Sequence, residues 1–307
     1  RNVLSIFDNR KPRRYNAGEL PEARIHGKAF AVKIAYTGDE PLAIERLKIG
    51  RIRYANLFPI FHMLERAAGS AAYEFVEGVP SALNKLLREG MIDISPSSSV
   101  EYLRHGETYT LLDGHSISSF GPVGSILLFS RRPIETLDGR TVLASSQSET
   151  SVALLDIVLR KFFDLTCPVK PSGEPLSKAI ESHSAYLLIG DDALREAPRW
   201  PKLHIYDLGE IWYKTTGLPF VFALWIARKD CGINNPHAFG QFRVDLDFAK
   251  TEGLKNLKTI AKNYPAKNLL SEEEFVAYWQ GISYDFGEEH KKGLALFRRY
   301  AAELKLL

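Results

Sequence analysis

The chain has 307 residues, 45% hydrophobic and 25% charged, which excludes disordered, collagenous and coiled-coil classes. At roughly 150 residues per domain, that length suggests about two domains. Lys and Arg number 40 against 37 Asp and Glu, and a net charge of +3 is too small for a general polyanion binder, so no nucleic-acid partner is expected.

Two cysteines, Cys167 and Cys231, supply neither a disulfide framework nor a four-thiolate zinc site. No apolar run reaches the roughly 20 residues of a membrane span. The N-terminus has no apolar core behind its basic residues, so a cytoplasmic location without a membrane partner is expected. The chain opens on Arg1 and not Met, so a few upstream residues are expected. From Arg1 to Arg53 there are 12 Lys or Arg against 6 Asp or Glu, which leaves the remainder at −3. Asn9 to Pro21 (NRKPRRYNAGELP) is basic and turn-rich, and reads as a solvated arm or packed extension.

In chain order, Ala29–Tyr36 and Leu47–Tyr54 have strand composition, and Asn56–Ala68 reads as a helix with Pro59 in its first turn. Tyr73–Val76 is a short strand. Val79, Leu83, Leu86 and Leu87 share one face of a helix that starts at Pro80 and stops at Gly90. Met91–Ser95 reads as a strand running into a polar loop, Pro96-Ser97-Ser98-Ser99, followed by a helix with Val100, Tyr102 and Leu103. Ile117–Arg132 holds a Gly-Pro-x-Gly-Ser turn and a buried-strand run. Thr141–Ser145 is a strand, and Ser146-Gln147-Ser148-Glu149 has the form of a capping box. Ala185–Gly190 is a strand ending at Asp191, Gly217–Ala227 is another, and the rest is mainly helical.

Alternating strands and helices predict an α/β fold, with ligands at the carboxyl ends of strands. Two Gly-rich crossings predict two lobes around a cleft. The expected parts are a basic extension over 1–46, a discontinuous first lobe over 47–127 and 219–307, and a second lobe over 128–218. Nucleotide-loop, zinc-protease and nucleophile-elbow motifs are absent, and the eight histidines show no paired helical spacing, so no metal site is expected. What recurs at strand-to-helix junctions is small neutral hydrogen-bonding residues: Asn56, Ser97, Ser98, Ser125, Ser145, Ser146, Ser148, Thr150 and Ser151. Each can cap its own helix. Together, with unpaired amides at helix N-termini, they can also bind carboxylate or phosphate.

Several strings in order resemble the chorismate dehydratase family of the futalosine route to menaquinone. They are Ile49–Ile60 (IGRIRYANLFPI), Gly78–Asn84 (GVPSALN), Ser98–Tyr102 (SSVEY), Ser116–Ser119 (SISS), Gly121–Ser125 (GPVGS) and Thr150–Leu155 (TSVALL). Leu188–Leu194 (LIGDDAL), Asp207-Leu208-Gly209 and, after Trp212, Gly217–Ala223 (GLPFVFA) complete the set. The resemblance covers about 47–307 and not the preceding arm. Pro96 departs from it, standing where the family has an aliphatic residue. A sister family acts later in the same pathway, on a dehypoxanthine futalosine product, and differs at the Tyr54-Ala55-Asn56-Leu57 motif.

The resemblance implies a two-lobed periplasmic-binding-protein-like fold of the second type, working in the cytoplasm as a monomer or homodimer. It implies a lyase without cofactor that removes water from chorismate to give 3-[(1-carboxyvinyl)oxy]benzoate. In that reading Asn56 and Ser125 face the reacting centre, while Ser97, Ser98, Gly124, Thr150, Ser151 and Asp191 bind substrate. Of the acidic side chains weighed as the base, Glu149 reads as a cap residue and Asp191 as one that pins a loop. The substrate's own enolpyruvyl carboxylate is therefore the expected proton acceptor. The alternatives are the sister enzyme, a cytoplasmic small-carboxylate-binding module, or a catalytically dead relative.

Overall fold

The computed structural model describes residues 22–25, 28–31, 46–266 and 268–307. Most of the basic arm, and the strand expected over 29–36 beyond Ala31, lie outside the described residues. Within the first 45 residues, β1 (Glu22–Ile25) and β2 (Lys28–Ala31) pair antiparallel, with Glu22 opposite Ala31.

From Arg46 onward the chain is a separate unit. Its first part is β3 (Leu47–Arg51), a 3-10 turn Ala55–Leu57, α1 (Phe58–Leu64), β4 (Tyr73–Glu77), α2 (Pro80–Arg88), β5 (Ile94–Ser98), α3 (Ser99–His105) and β6 (Tyr109–Ser119). The chain then crosses into β7 (Ile126–Ser130), β8 (Val142–Ser145) and α4 (Glu149–Ile157), which continues as a π-helical turn through Phe162. There follow β9 (Val169–Ser172), α5 (Leu176–Ser182), β10 (Ala185–Ile189), α6 (Gly190–Glu196), β11 (His204–Asp207) and α7 (Leu208–Thr216). It returns through β12 (Phe220–Arg228) and closes with α8 (Cys231–Asn234), α9 (Pro236–Lys255), α10 (Leu257–Ala261), α11 (Glu272–Gln280) and α12 (Glu288–Glu303).

These elements make two five-stranded sheets of matching pattern, β4-β3-β5-β12-β6 and β9-β8-β10-β7-β11. In each, three parallel strands are joined by an antiparallel one contributed at a crossing: β12 beside β5, and β7 beside β10. The all-buried β7 and β10 account for the unbroken apolar run after the Gly-Pro turn, because this sheet is covered on both faces. One face joins the main core through Leu128 and Leu187. The other packs Leu127, Phe129, Tyr186 and Leu188 against Leu176 and Ile180 of α5 and Ala193 of α6.

Two local expectations are corrected. Pro96 and Ser97 are not in a loop: β5 runs to Ser98, with Pro96 opposite Trp225 and Ser97 opposite Leu224. The proline is tolerated because β5 meets β3 at a single register position, Ile49 with Ile94, so its missing amide is not needed there. The cap of α4 is Ser148, whose Oγ accepts from the Ser151 amide, and exposed Ser146 stands outside the helix. The first strand of the second sheet in chain order starts at Ile126. Edge strands β9 and β11, and the full length of β6, were not anticipated. α11 starts with a complete capping box between Ser271 and Glu274.

Candidate active site

The carboxyl ends of β3, β5, β8 and β10 carry Tyr54–Asn56, Ser98–Val100, Ser145–Ser151 and Gly190–Asp191, and these turns meet across the lobes. The Val100 amide, at the start of α3, donates to Thr150 Oγ1 in α4 at 2.9 Å. The Ala55 amide donates to Asp191 Oδ1 at 2.8 Å, and the Tyr264 hydroxyl donates to Asp191 Oδ2 at 2.7 Å. Tyr54 donates to Gln147 in the turn after β8. These hydrogen bonds close the lobes on one another at the carboxyl ends of their parallel strands.

Asn56 is held by its backbone from the C-terminal segment. Trp279 Nε1 donates to the Ala55 carbonyl and the Tyr284 hydroxyl to the Asn56 carbonyl, each at 2.7 Å. Its side-chain Oδ1 is buried without a protein partner. The same is true of Ser97 Oγ, on a residue 0% exposed, and of Asn84 Oδ1, whose Nδ2 donates to Ser98 Oγ at 3.1 Å. Buried polar atoms are nearly always paired, since leaving one unpaired costs about 1–3 kcal/mol. Three such atoms lie on residues at or beside the ends of β3 and β5, which makes this region a candidate for a polar ligand.

Ser125 follows Gly124, whose φ of +75° suits glycine. The Asp207 carboxylate accepts from the Val123 and Gly124 amides at 2.9 and 2.6 Å, which fixes this turn against the start of α7. Ser125 O accepts from the Gly190 amide, and Ser125 Oγ accepts from the Tyr278 hydroxyl, both at 2.8 Å.

The anion-binding amides expected at α3 and α4 are partly engaged in this closed form. The amide of Glu101 donates to Ser98 Oγ, that of Ser151 to Ser148 Oγ, and that of Val100 to Thr150. Glu149 points outward and pairs with Arg104. A cavity of about 460 Å³ beside it is lined by Arg104, Ser145, Ser148 and Asp156, and touches none of Asn56, Ser97, Ser125 or Asp191. Burial is the main influence on Asp191 and raises its pKa, against the two hydrogen bonds that favour its ionised form. Burial likewise raises Tyr264, Tyr278 and Tyr284, so all three remain neutral donors.

No free general base faces this cluster from the described residues named above. His290 touches Ser283 at 2.9 Å through Nε2, but its Nδ1 accepts from the Gly287 amide. The neutral ring therefore carries its proton on Nε2 and donates to Ser283, the wrong sense for activating a nucleophile. Among the described residues, no group of three or more His, Cys, Asp and Glu is placed to hold a metal ion, and no helix is long and apolar enough to cross a membrane.

The tyrosines were not singled out from sequence. In a helical stretch rich in Phe, Tyr and Trp they read as core, and nothing in their spacing reveals where a hydroxyl points. Gly190 was likewise not singled out. It has φ +58°, and a Cβ there would lie 3.1 Å from the Tyr54 ring. Gly190→Ala combines backbone strain of roughly 1–2 kcal/mol with that clash, opposing lobe closure. The expected result is a rise in the KM for substrate of about tenfold with a smaller change in kcat, read by steady-state kinetics.

The family model described as menaquinone biosynthesis matches residues 47–303. A chorismate dehydratase from Thermus thermophilus is 33% identical over 232 residues, covering 70% of this chain and 80% of its own length. A 1,4-dihydroxy-6-naphtoate synthase from the same organism is 25% identical, covering 82% and 92%. Among solved structures, the periplasmic aliphatic sulphonate binding protein of Escherichia coli superposes with a TM-score of 0.62 at 15% identity, over 86% of this chain and 88% of that one. The last likeness establishes the two-lobed periplasmic-binding-protein fold. With the matched span running from the first residue of β3 to the last of α12, the chain belongs to the menaquinone biosynthesis family, among the chorismate dehydratases.

Proposed function

We propose that the chain dehydrates chorismate to 3-[(1-carboxyvinyl)oxy]benzoate. The observation that carries this reading is the 33% identity to a chorismate dehydratase, spanning most of both chains. The futalosine route and a cytoplasmic site of action belong to the same reading and follow from the family resemblance.

The reaction removes a proton from C3 and hydroxide from C4, and the ring becomes aromatic. Aromatisation supplies the driving force, so the site needs chiefly orientation and charge handling. Substrate enters when the lobes part. On closure its carboxylates meet the hydroxyls of Ser97, Ser98, Thr150 and Ser151, with the Val100 amide exchanging Thr150 for a substrate oxygen. Both Asp191 oxygens accept from protein donors and Glu149 is paired outside. The C3 proton therefore passes to the substrate's enolpyruvyl carboxylate, with Asn56 and Ser125 holding the reacting atoms.

Purified protein mixed with chorismate is expected to convert the diene absorbance to that of an aryl ether. Bound but unchanged chorismate supports a binding module instead, and turnover of the dehypoxanthine futalosine product supports the sister enzyme. Glu149→Gln is expected to keep kcat within about tenfold. A side-chain general base contributes about 10²–10⁴ in rate, so a loss beyond a thousandfold with binding intact overturns the substrate-assisted route.

A further inference from the structure

We infer that Tyr278 is a positioning residue that sets the direction of the Ser125 hydroxyl proton, so that Ser125 serves the site as a hydrogen-bond donor. The inference rests on the dehydratase reading and deepens it.

Ser125 is 1% exposed and its backbone is fixed from two sides, by Asp207 on the preceding amides and by Gly190 on its own carbonyl. A serine hydroxyl has one proton and two acceptor positions, and rotates to suit its neighbours. Here the rotation is decided by Tyr278. Its phenol donates to Ser125 Oγ at 2.8 Å, and burial raises its pKa, which keeps that proton in place. The more acidic phenol donates and the alcohol accepts. With one acceptor position filled, Ser125 Oγ has no protein acceptor for its own proton among the described residues. That proton is left for a ligand oxygen.

Tyr278 stands on α11, whose capping box fixes the start of the helix. The same segment places Trp279 on the Ala55 carbonyl, Tyr284 on the Asn56 carbonyl and Tyr264 on Asp191. One stretch of the C-terminal part thus supplies a donor to each turn that carries a candidate site residue from β3, the β6–β7 crossing and β10.

Chemically, the oxygen that gains negative charge as the C4–O bond breaks is the departing hydroxyl. Ser125 offers it a hydrogen bond and transfers no proton. The proton taken from C3 by the substrate carboxylate passes to that oxygen, which leaves as water, and the carboxylate is regenerated. A neutral donor aimed at the leaving oxygen stabilises charge present only in the transition state.

The test is a cycle of Tyr278→Phe, Ser125→Ala and the double variant, assayed with chorismate. Tyr278→Phe is expected to lower kcat about tenfold with KM within about twofold, since only the aim of one hydrogen bond is lost. Ser125→Ala is expected to lower kcat further, and adding Tyr278→Phe to it to change nothing. Equal losses from Tyr278→Phe in both backgrounds, or a wild-type kcat in Tyr278→Phe, overturn the inference while wild-type turnover upholds the dehydratase reading. A wild-type protein that binds chorismate without turnover overturns both. Should Tyr278→Phe fail to fold, 3-fluorotyrosine at 278 keeps the ring and a stronger donor. It should alter kcat when Ser125 is present and leave the Ser125→Ala background unmoved, and equal responses overturn the inference.

Discussion

Asn56→Ala is expected to lower kcat for chorismate by about 10²–10³, the usual effect of deleting one preorganised polar group from a transition-state site. It should do so without loss of stability. The Asn56 side chain contributes no hydrogen bond to the fold through Oδ1, which is buried and unpaired. The contacts that hold this turn are to backbone carbonyls, from Trp279 and Tyr284, and alanine leaves both in place. Removing an unpaired buried acceptor relieves about 1–3 kcal/mol of desolvation, so the melting temperature should stay level or rise. A residue kept for packing behaves oppositely, losing stability and activity together. Thermal unfolding beside steady-state kinetics separates the two, and a fall in melting temperature matching the fall in kcat rejects the assignment.

Much of this site was legible in the sequence because it depends on local rules. Strand-helix alternation puts Asn56, Ser98 and Asp191 at carboxyl ends of strands, and Gly121-Pro122-Val123-Gly124-Ser125 reads as a turn whatever surrounds it. What was not legible depends on contacts distant in sequence. Ser125 and Tyr278 are 153 positions apart, and no periodicity in α11 distinguishes a phenol that donates from one that only packs. The strand position of Pro96 was missed for a related reason: proline ordinarily ends a strand, and the single-position pairing of β5 with β3 is what leaves its missing amide unneeded. Glu149 shows a third limit. Its spacing from Ser146 fits a capping box, but the turn after β8 continues to Ser148 before the helix begins, and Arg104 takes the carboxylate. Local signals placed the groups, and tertiary pairing decided which of them remain free for a ligand.

Asp191→Ala is expected to raise KM by about 30-fold or more while kcat stays within about tenfold. Asp191 joins the lobes, with one oxygen on the Ala55 amide and the other on the Tyr264 hydroxyl. In the closed form alanine strands both donors, at about 1–3 kcal/mol each, whereas in the open form water satisfies them. The cost therefore falls on closure and not on folding. If substrate binds tightly only to closed lobes, its apparent affinity drops by the lost closed fraction, and 2 kcal/mol is about 30-fold. Small-angle scattering should show a larger radius of gyration for the variant at equal melting temperature. The carboxylate also leaves a pH trace. Its pKa is raised by folding, so the folded chain holds the proton more tightly than the unfolded one. The associated stability is present below the ordinary carboxylate value and is lost as pH rises from there through the raised one. Asp191→Ala should flatten that part of the stability profile, so a wild-type and variant difference that stays constant across the acid range rejects the buried-carboxylate account, whereas an unchanged KM rejects the latch.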